Sequence, residues 1–315
     1  MKLIIQVPCL NEEKTIAVTL DDLPRSIPGI DVIEYLVIDD GSTDRTVEIA
    51  KAAGAHVVSL GTNRGLATAF RRGVAFALEQ GADILVNTDA DNQYYGPDIP
   101  KLVQPVLAGE ADLVVGCRPI ADHPEFNPIK KLLQMAGSWT LRRISKTTAR
   151  DAASGFRAFS RETLLRLFVY SQFSYCMETL IQAGNSGIRV ASVDIRVNAK
   201  TRESRLFKSI PQYIKKSGGT MLAMFITYRP GRFFMCCATP FILASLFLGV
   251  RFVYLVYVEH TITAGRTHVP SLILLAVCSI IGTLLLALGV IGELLKTQRR
   301  IAEENLYLQR KSRYP

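Results

Sequence analysis

Leu85-Val86-Asn87-Thr88-Asp89-Ala90-Asp91-Asn92-Gln93 is an apolar run that ends abruptly in two carboxylates one residue apart. On an extended strand alternate residues face the same side, so Asp89 and Asp91 point at one spot just past the strand end. Two carboxylates held that close repel unless a cation lies between them. A hard divalent ion, Mg²⁺ or Mn²⁺, takes oxygen ligands and commonly holds substrate phosphates as well. Gln93 is placed to supply a third oxygen. Taken alone, an Asp-x-Asp is equally a solvated turn, so its meaning depends on what surrounds it.

What surrounds it is an alternation of strands and helices. Residues 3–7, 33–38, 57–60, 84–86 and 113–115 are apolar runs of strand length, and 189–197 reads as a last strand. Between them the spacing predicts helices: one capped by Asn11 and favoured electrostatically by Glu12 and Glu13, one from Asp44 to about Ala53, one opened by Gly65 and reaching about Gln80, and one with Pro97 in its first turn. Strands separated by such helices argue for an α/β fold, a mostly parallel sheet with helices on both faces. In such sheets ligands bind at the carboxyl ends of the strands. Asn11-Glu12, Asp39-Asp40-Gly41-Ser42, Asn63-Arg64-Gly65 and Asp89-Ala90-Asp91 all follow a strand at that end. Further on, residues 129–144 look helical, with Trp139 on the apolar side, and 151–157 reads as a polar, glycine-containing turn.

The chain of 315 residues is 49% apolar, and the excess lies near its C-terminal end. Residues 233–250 and 269–292 carry no charge over 18 and 24 positions, each enough for a helix to cross a bilayer. Both runs are uniformly apolar rather than striped, which favours spans over core helices. The sequence therefore divides into a domain of residues 1–200, a basic amphipathic juxtamembrane segment 201–232, two spans at about 233–258 and 269–292, and a basic tail 293–315. Residues 200–232 carry eight Lys and Arg against one Glu, and 293–315 six against three, net +7 and +3, so of the chain's +9 everything outside these flanks sums to about −1. Basic flanks mark the cytoplasmic side, which places both termini and the N-terminal domain there. The charge is thus a membrane feature, and no nucleic-acid face is expected. Leu206, Phe207, Ile210, Tyr213 and Ile214 fall at helical spacing among lysines, as in an interfacial helix on anionic headgroups; a core helix of the domain is the other reading. No leader is expected at the N-terminus. The six cysteines have no Cys-x-x-Cys spacing, which fits reduced thiols, and the four scattered histidines suggest no zinc site.

Pro8-Cys9-Leu10-Asn11-Glu12-Glu13, Val37-Ile38-Asp39-Asp40-Gly41-Ser42-Thr43-Asp44, Asn63-Arg64-Gly65 and Asp89-Ala90-Asp91, in that order and spacing, resemble the signature of family 2 glycosyltransferases of the GT-A (Rossmann-like) fold. The nearest resemblance is to the membrane-anchored polyprenyl-phosphate sugar transferases, such as dolichyl-phosphate mannose synthase and bactoprenol glucosyltransferase. It covers residues 1–200 and includes Gly116-Cys117-Arg118 and Ser154-Gly155-Phe156-Arg157. Cys117 stands where Ser or Thr is expected, and the Gln-x-x-Arg-Trp motif of processive synthases is absent.

The resemblance implies a metal-dependent hexosyltransferase that moves one sugar from a nucleotide sugar, UDP- or GDP-linked, to a dolichyl or undecaprenyl phosphate with inversion. It implies that Pro8, Asn11, Glu12, Asp39, Asp40, Ser42, Asn63, Gly65 and Asp89 hold the nucleotide sugar, and that Asp89, Asp91 and Gln93 hold Mg²⁺ or Mn²⁺. Arg118, Arg157 and Arg205 are candidates to grip the acceptor phosphate or the diphosphate, because a guanidinium fork matches phosphate oxygens; surface cations near a membrane are the alternative. Asp151 and Glu178 are candidates to line the acceptor site, and Glu178 equally to favour a helix start. Asp91, Asp151, Arg118 and Arg157 are the expected catalytic set. A homo-oligomer is left open. Two other readings stand beside this one: a GT-A transferase acting on another lipid or hydroxyl acceptor, with Asp151 as base, and a non-catalytic nucleotide-sugar-binding membrane protein.

Overall fold

The computed structural model describes residues 1–119, 145, 147–169, 175–199, 218–219, 222–257 and 269–314. Arg205, the helix expected at 129–144 with Trp139, the amphipathic run 206–214 and the loop between the two apolar runs lie outside the described residues. The chain divides into two compact units, Met1–Lys216 with Glu303–Pro315, and Ser217–Ala302.

The first unit is built on β1 (Lys2–Cys9), whose sequence Leu3-Ile4-Ile5-Gln6-Val7-Pro8-Cys9 is buried on both sides. A strand that is apolar on both faces belongs in the middle of a covered sheet. Indeed β1 lies between β2 (Val32–Asp39) and β4 (Ile84–Asn87), parallel to both. The seven-stranded order is β3-β2-β1-β4-β6-β5-β7, with β3 His56–Ser59, β5 Leu113–Cys117, β6 Arg157–Ser160 and β7 Val190–Asp194. Only β6 runs against its neighbours, β4 and β5. The segment that reads from sequence as a polar turn thus leads into a strand. Four residues, three of them buried, were too short to show a period, and an antiparallel insertion breaks the strand-helix alternation.

Helices cover both faces. α1 (Ile16–Asp21) and α4 (Ile99–Leu107) cover one, over Leu3, Ile5, Val7, Val86 and Val114. α2 (Thr46–Ala52) follows β2. α3 (Leu66–Glu79) buries Ala67, Phe70, Val74, Ala77 and Leu78, the three-and-four spacing of a helix face, and Phe70 stacks on Tyr175 at 4.1 Å. Tyr175 opens α6 (Tyr175–Asn185), and α5 (Arg161–Arg166) is capped by Ser160, whose hydroxyl accepts from the Thr163 amide at 3.2 Å. One expectation is corrected: Asn11 caps no helix. Its φ is 54° and α1 begins five residues later, after the loop has turned toward β2.

The last turns of the C-terminal helix belong to this unit. Arg310 Nη1 donates to the carbonyl oxygens of Leu164 (3.2 Å), Leu165 (3.4 Å) and Leu167 (2.7 Å), the orphan acceptors at the end of α5. The Arg166 guanidinium lies 4.1 Å over the Tyr307 ring.

The second unit contains α7 (Pro230–Tyr257) and, as far as Ala302, α8 (Val269–Arg313), both long and apolar enough to cross a membrane. Large side chains such as Leu243, Phe247, Leu284 and Val290 point outward with most of their surface exposed. Helices apolar all round fit hydrocarbon rather than water. The pair is antiparallel: Ser245 and Ser279 share a hydrogen bond of 2.6 Å, Gly282 meets Ile242, Gly289 meets Phe234 and Gly292 meets Pro230. Small residues that let backbones approach, with a hydroxyl pair between them, are how helices associate in lipid.

Two predictions follow from the first unit's packing. Asp98 is fully buried and accepts from the Arg196 amide (2.7 Å), Arg196 Nη2 (2.6 Å) and Lys101 Nζ (2.9 Å). Burial opposes its ionisation, but the Arg196 and Lys101 hydrogen bonds and charge prevail and lower its carboxyl to about 2. An unfolded aspartate titrates near ~3.9, so the stabilisation is complete above that pH and is lost as pH falls through about 2. Asp98→Asn should therefore be less stable than the parent by about 1–3 kcal/mol at pH 7, and the gap should close in melts taken at successively lower pH. A gap independent of pH would refute this origin. Separately, Arg310→Met should speed amide exchange in α5 about 5–10-fold, the loss of roughly 1 kcal/mol, without changing exchange in β1 and β2.

Candidate active site

The carboxyl rim of the parallel strands carries nearly all the polar groups singled out from sequence. Because β6 is antiparallel, its first residue, Arg157, lies at the same rim, paired with Asn87 at the end of β4.

On one side the loops after β1, β2 and β3 are laced together. The Asn11 amide donates to Ser42 Oγ (2.8 Å), the Thr43 amide to Asn11 Oδ1 (2.8 Å), and the Glu12 amide to Thr46 Oγ1 (2.8 Å). Asp39 is buried and accepts from the Ser42 amide (2.8 Å) and the Ser59 hydroxyl (2.7 Å). Asp40, also buried, accepts from the Arg64 (2.7 Å) and Gly65 (2.9 Å) amides, one on each oxygen. Gly41 lets this happen: at φ +84° it sits where a Cβ would come 2.6 Å from the Thr62 carbonyl carbon. Asp40 and Ser42 therefore hold loops. Pro8 is a buried strand residue opposite Ile38. Asn63 is exposed, with its Oδ1 accepting from the Gly65 amide (3.2 Å), and Gly65 stands at the start of α3. Glu12 is buried, its Oε2 accepting from Thr15 Oγ1 (3.0 Å).

In the centre, the turn after β4 presents Asp89, Asp91 and Gln93, all half-buried. Asp91 Oδ1 accepts from the Gln93 amide (3.2 Å), and Asn92, at φ 54°, closes the turn. Thr19 Oγ1 anchors the turn to α1 through the Ala90 carbonyl (3.0 Å), and Asn198 Nδ2 reaches the Asn92 carbonyl (3.0 Å). Two carboxylates and a carboxamide on one turn are hard oxygen donors. Among the described residues no group of three or more His, Cys, Asp or Glu forms a complete protein cage. Such a partial set fits Mg²⁺ or Mn²⁺, which take their remaining oxygens from water and substrate phosphate.

On the other side stands Arg118, at the end of β5. Its Nε and Nη2 donate to the two oxygens of Asp151 at 2.8 and 3.1 Å, a fork-to-fork pair. Asp151 is buried while the Arg118 side chain keeps 21% of its surface exposed. Burial opposes ionisation of Asp151, yet the charge and hydrogen bonds of Arg118 hold its carboxyl below the usual range. The charge of Asp89 also reaches Arg118. The structure thus brings Asp89, Arg118 and Asp151 together.

Arg157 is elsewhere than the sequence reading put it. It has no exposed surface, and its guanidinium donates to the carbonyls of Ser154 (2.8 Å), Cys176 (2.7 Å) and Ala152 (2.9 Å) and to Thr179 Oγ1 (2.8 Å). An arginine with no exposed surface and all three nitrogens turned on buried acceptors organises the loop 151–156 and is not presented to a phosphate from solvent. Glu178 is likewise fully buried, in the first turn of α6. Sequence reasoning passed over three residues beneath the rim. Asn87 is a polar residue inside a buried strand, which was a legible sign; Tyr94 and Tyr175 carried none. Asn87 Nδ2 donates to the Gly155 carbonyl (2.9 Å) and Tyr175 Oη (2.7 Å), and the Gly155 amide donates to Tyr94 Oη (2.9 Å).

Comparison with known proteins places the chain among glycosyltransferases. The chain is 29% identical to the undecaprenyl-phosphate mannosyltransferase of Micrococcus luteus, over 65% of this chain and 88% of that protein. It is also 29% identical to the UDP-N-acetylglucosamine–dolichyl-phosphate N-acetylglucosaminyltransferase of Methanococcus voltae, over 60% and 83%. Among solved structures, glucosyl-3-phosphoglycerate synthase of Mycobacterium tuberculosis in complex with Mn²⁺, UDP and glucosyl-3-phosphoglycerate superposes with a TM-score of 0.54 at 27% identity, covering 72% of this chain and 79% of that one. Residues 4–168, more than half of the chain, match Glycosyl transferase family 2, and to that family the protein belongs.

Proposed function

We propose that the protein transfers one hexose from a UDP- or GDP-sugar to a polyprenyl phosphate, dolichyl or undecaprenyl, with inversion, at the cytoplasmic face of a membrane. The observation that carries this reading is Arg118: a partly exposed guanidinium, oriented by buried Asp151, beside the carboxylate-bearing turn of residues 88–93. A site with a cation position on one side and a fixed guanidinium on the other suits a reaction with a phosphate at both ends. The two named relatives act on polyprenyl phosphates and differ in the sugar, which supports the acceptor class and leaves the sugar and base open.

In this mechanism Asp89, Asp91 and Gln93 would hold Mg²⁺ or Mn²⁺, and the chemistry the ion would supply there is positive charge against a diphosphate leaving group. Asn11, Glu12, Asp39 and Asn63 shape the nucleotide side, and Asp40 and Ser42 keep its loops in place. Arg118 spends Nε and Nη2 on Asp151, which leaves Nη1 for the acceptor phosphate. A phosphate monoester has a second pKa of roughly 6 and is largely a dianion near neutrality, so its oxygen attacks without a base. Asp151, held ionised and doubly engaged by Arg118, is suited to orienting a cation and poorly suited to taking a proton. This disfavours the reading with a hydroxyl acceptor and Asp151 as base. Catalysis then rests on in-line positioning and charge stabilisation. Residues 1–200 form the transferase domain in this scheme, 201–232 follow the membrane surface with Arg205 near the lipid phosphate, two spans at about 233–258 and 269–292 anchor it, and the tail 293–315 is cytoplasmic.

The decisive assay measures nucleoside-diphosphate release by the full chain in detergent with Mn²⁺, a short polyprenyl phosphate and a panel of UDP- and GDP-sugars. Release is expected only with lipid and metal together, from one donor. Turnover should rise with pH through about 6, following the lipid phosphate, and then level off. Asp91→Ala should lower kcat about 10²–10³-fold. Arg118→Lys should raise KM for the lipid about tenfold while leaving nucleotide affinity unchanged. Release from a donor without lipid, or full activity in Asp91→Ala, would overturn the scheme.

A further inference from the structure

The amide and carbonyl of Gly155 are both bonded from beneath the rim. Tyr94 Oη accepts the amide (2.9 Å), while Asn87 Nδ2 (2.9 Å) and the Tyr175 hydroxyl (3.2 Å) donate to the carbonyl. Asn87 is itself fixed by Gln6 Nε2, which donates to its Oδ1 at 2.8 Å. Tyr94 is buried and stacks on Phe156 with ring centroids 4.9 Å apart and planes 11° from parallel. The outward side of Gly155 faces Asp89: a Cβ there would lie 3.1 Å from Asp89 Oδ1 and 3.0 Å from Tyr175 Oη. The charges of Arg118, Asp89 and Asp151 all reach the Tyr94 phenol, which burial keeps protonated.

Tyr94 lies one residue beyond Gln93, on the turn that carries Asp89 and Asp91. Its hydroxyl reaches across to the loop that supplies Asp151. Together with the Asn87 bond to the Gly155 carbonyl, that bond joins the strand end and turn carrying Asp89 and Asp91 to the loop that orients Arg118. We propose that Tyr94 is a positioning residue: its hydroxyl, by holding Gly155 against Asp89, sets the carboxylate at the place where it and Asp91 share a divalent cation. The inference rests on the metal-dependent transferase reading above. Tyr94 touches neither metal nor substrate in this account, and acts through the Gly155 backbone.

The test compares UDP and GDP affinity, by calorimetry on the full chain in detergent, with Mn²⁺ and with EDTA. The wild type should bind one nucleotide more tightly with Mn²⁺. Tyr94→Phe keeps the ring on Phe156 and removes only the hydroxyl. It should lose about tenfold of the metal-assisted affinity while affinity in EDTA and the melting temperature stay close to wild type. Gly155→Ala, which presses on Asp89 directly, should show the same signature with Tyr94 intact. Tyr35→Phe, which removes a hydroxyl that donates to the Pro24 carbonyl at 3.1 Å, should change nothing. Should Tyr94→Phe fail to fold, Tyr175→Phe removes the other hydroxyl bound to Gly155 and should give a smaller loss of the same kind. Tyr94→Phe binding with undiminished metal assistance, or losing affinity equally with and without Mn²⁺, would overturn the inference alone. A wild type that gains nothing from Mn²⁺ would instead overturn the metal-dependent reading on which it rests.

Discussion

A guanidinium with no exposed surface sits at the first residue of β6, and the arrangement of the rim follows from satisfying it. Taking a charged group out of water costs several kcal/mol even after relaxation, and hydrogen bonds to buried acceptors must offset it. Arg157 makes four such bonds, to the carbonyls of Ala152, Ser154 and Cys176 and the hydroxyl of Thr179. Those acceptors lie on two elements, the loop before β6 and the start of α6. Once they are gathered round one planar fork, the loop has little freedom left. Its first residue, Asp151, then meets Arg118, and Gly155 meets Asp89. The Arg157 charge also favours the ionised form of Asp151, after the larger contribution of Arg118. One buried cation thus orients a second, partly exposed one through a carboxylate between them.

The same economy governs the other half of the rim. Asp39 and Asp40 are adjacent in sequence and both buried, which would repel if each did not face a different set of donors. Asp39 faces Ser42 and Ser59, within its own loop and the next strand; Asp40 faces the amides of Arg64 and Gly65, across Gly41. Backbone amides that stabilise a carboxylate are themselves fixed by it, so the loops after β2 and β3 are held at one spacing. Any ligand approaching this edge, the nucleotide of the proposed reaction included, would meet a preformed wall rather than three independent loops.

The parallel strands and their following helices were legible because their signals are local: runs of β-branched residues, glycines where the chain reverses, and polar groups at each strand's carboxyl end. The carboxylates were legible for the same reason. What sequence could not reveal was tertiary. Arg157 reads as a cation near a glycine turn, and nothing in Ser154-Gly155-Phe156-Arg157 states that its side chain turns inward. Asn11 has the chemistry of a helix cap, and the chain instead uses it to tie two loops, with its Oδ1 accepting from Thr43 rather than from a first-turn amide. Strand β6 was hidden because its pairing partners, β4 and β5, are distant in sequence and antiparallel to it.

The apolar helices are suited to a different solvent. In water, Leu243, Phe247 and Val290 would be liabilities on a surface; in hydrocarbon they are neutral, and the specificity of helix pairing must come from elsewhere. Here it comes from what is missing. Gly282, Gly289 and Gly292 have no side chains where Ile242, Phe234 and Pro230 approach, and a Cβ on Gly292 would meet Pro230 Cβ at 2.5 Å. Just past Gly292 the helix becomes charged, and Glu293 accepts from the Gly231 amide at 3.2 Å and from Lys296 at 2.9 Å. Further along, from Glu303, it carries Tyr307 and Arg310, which pack on Arg166 and the end of α5. A single helix therefore changes its side-chain chemistry twice along its length: a small-residue seam suited to lipid, then a charged stretch, then an aromatic and cationic face that completes the domain's own packing. That is why the charge pattern of residues 293–315 cannot be read as that of a free tail alone.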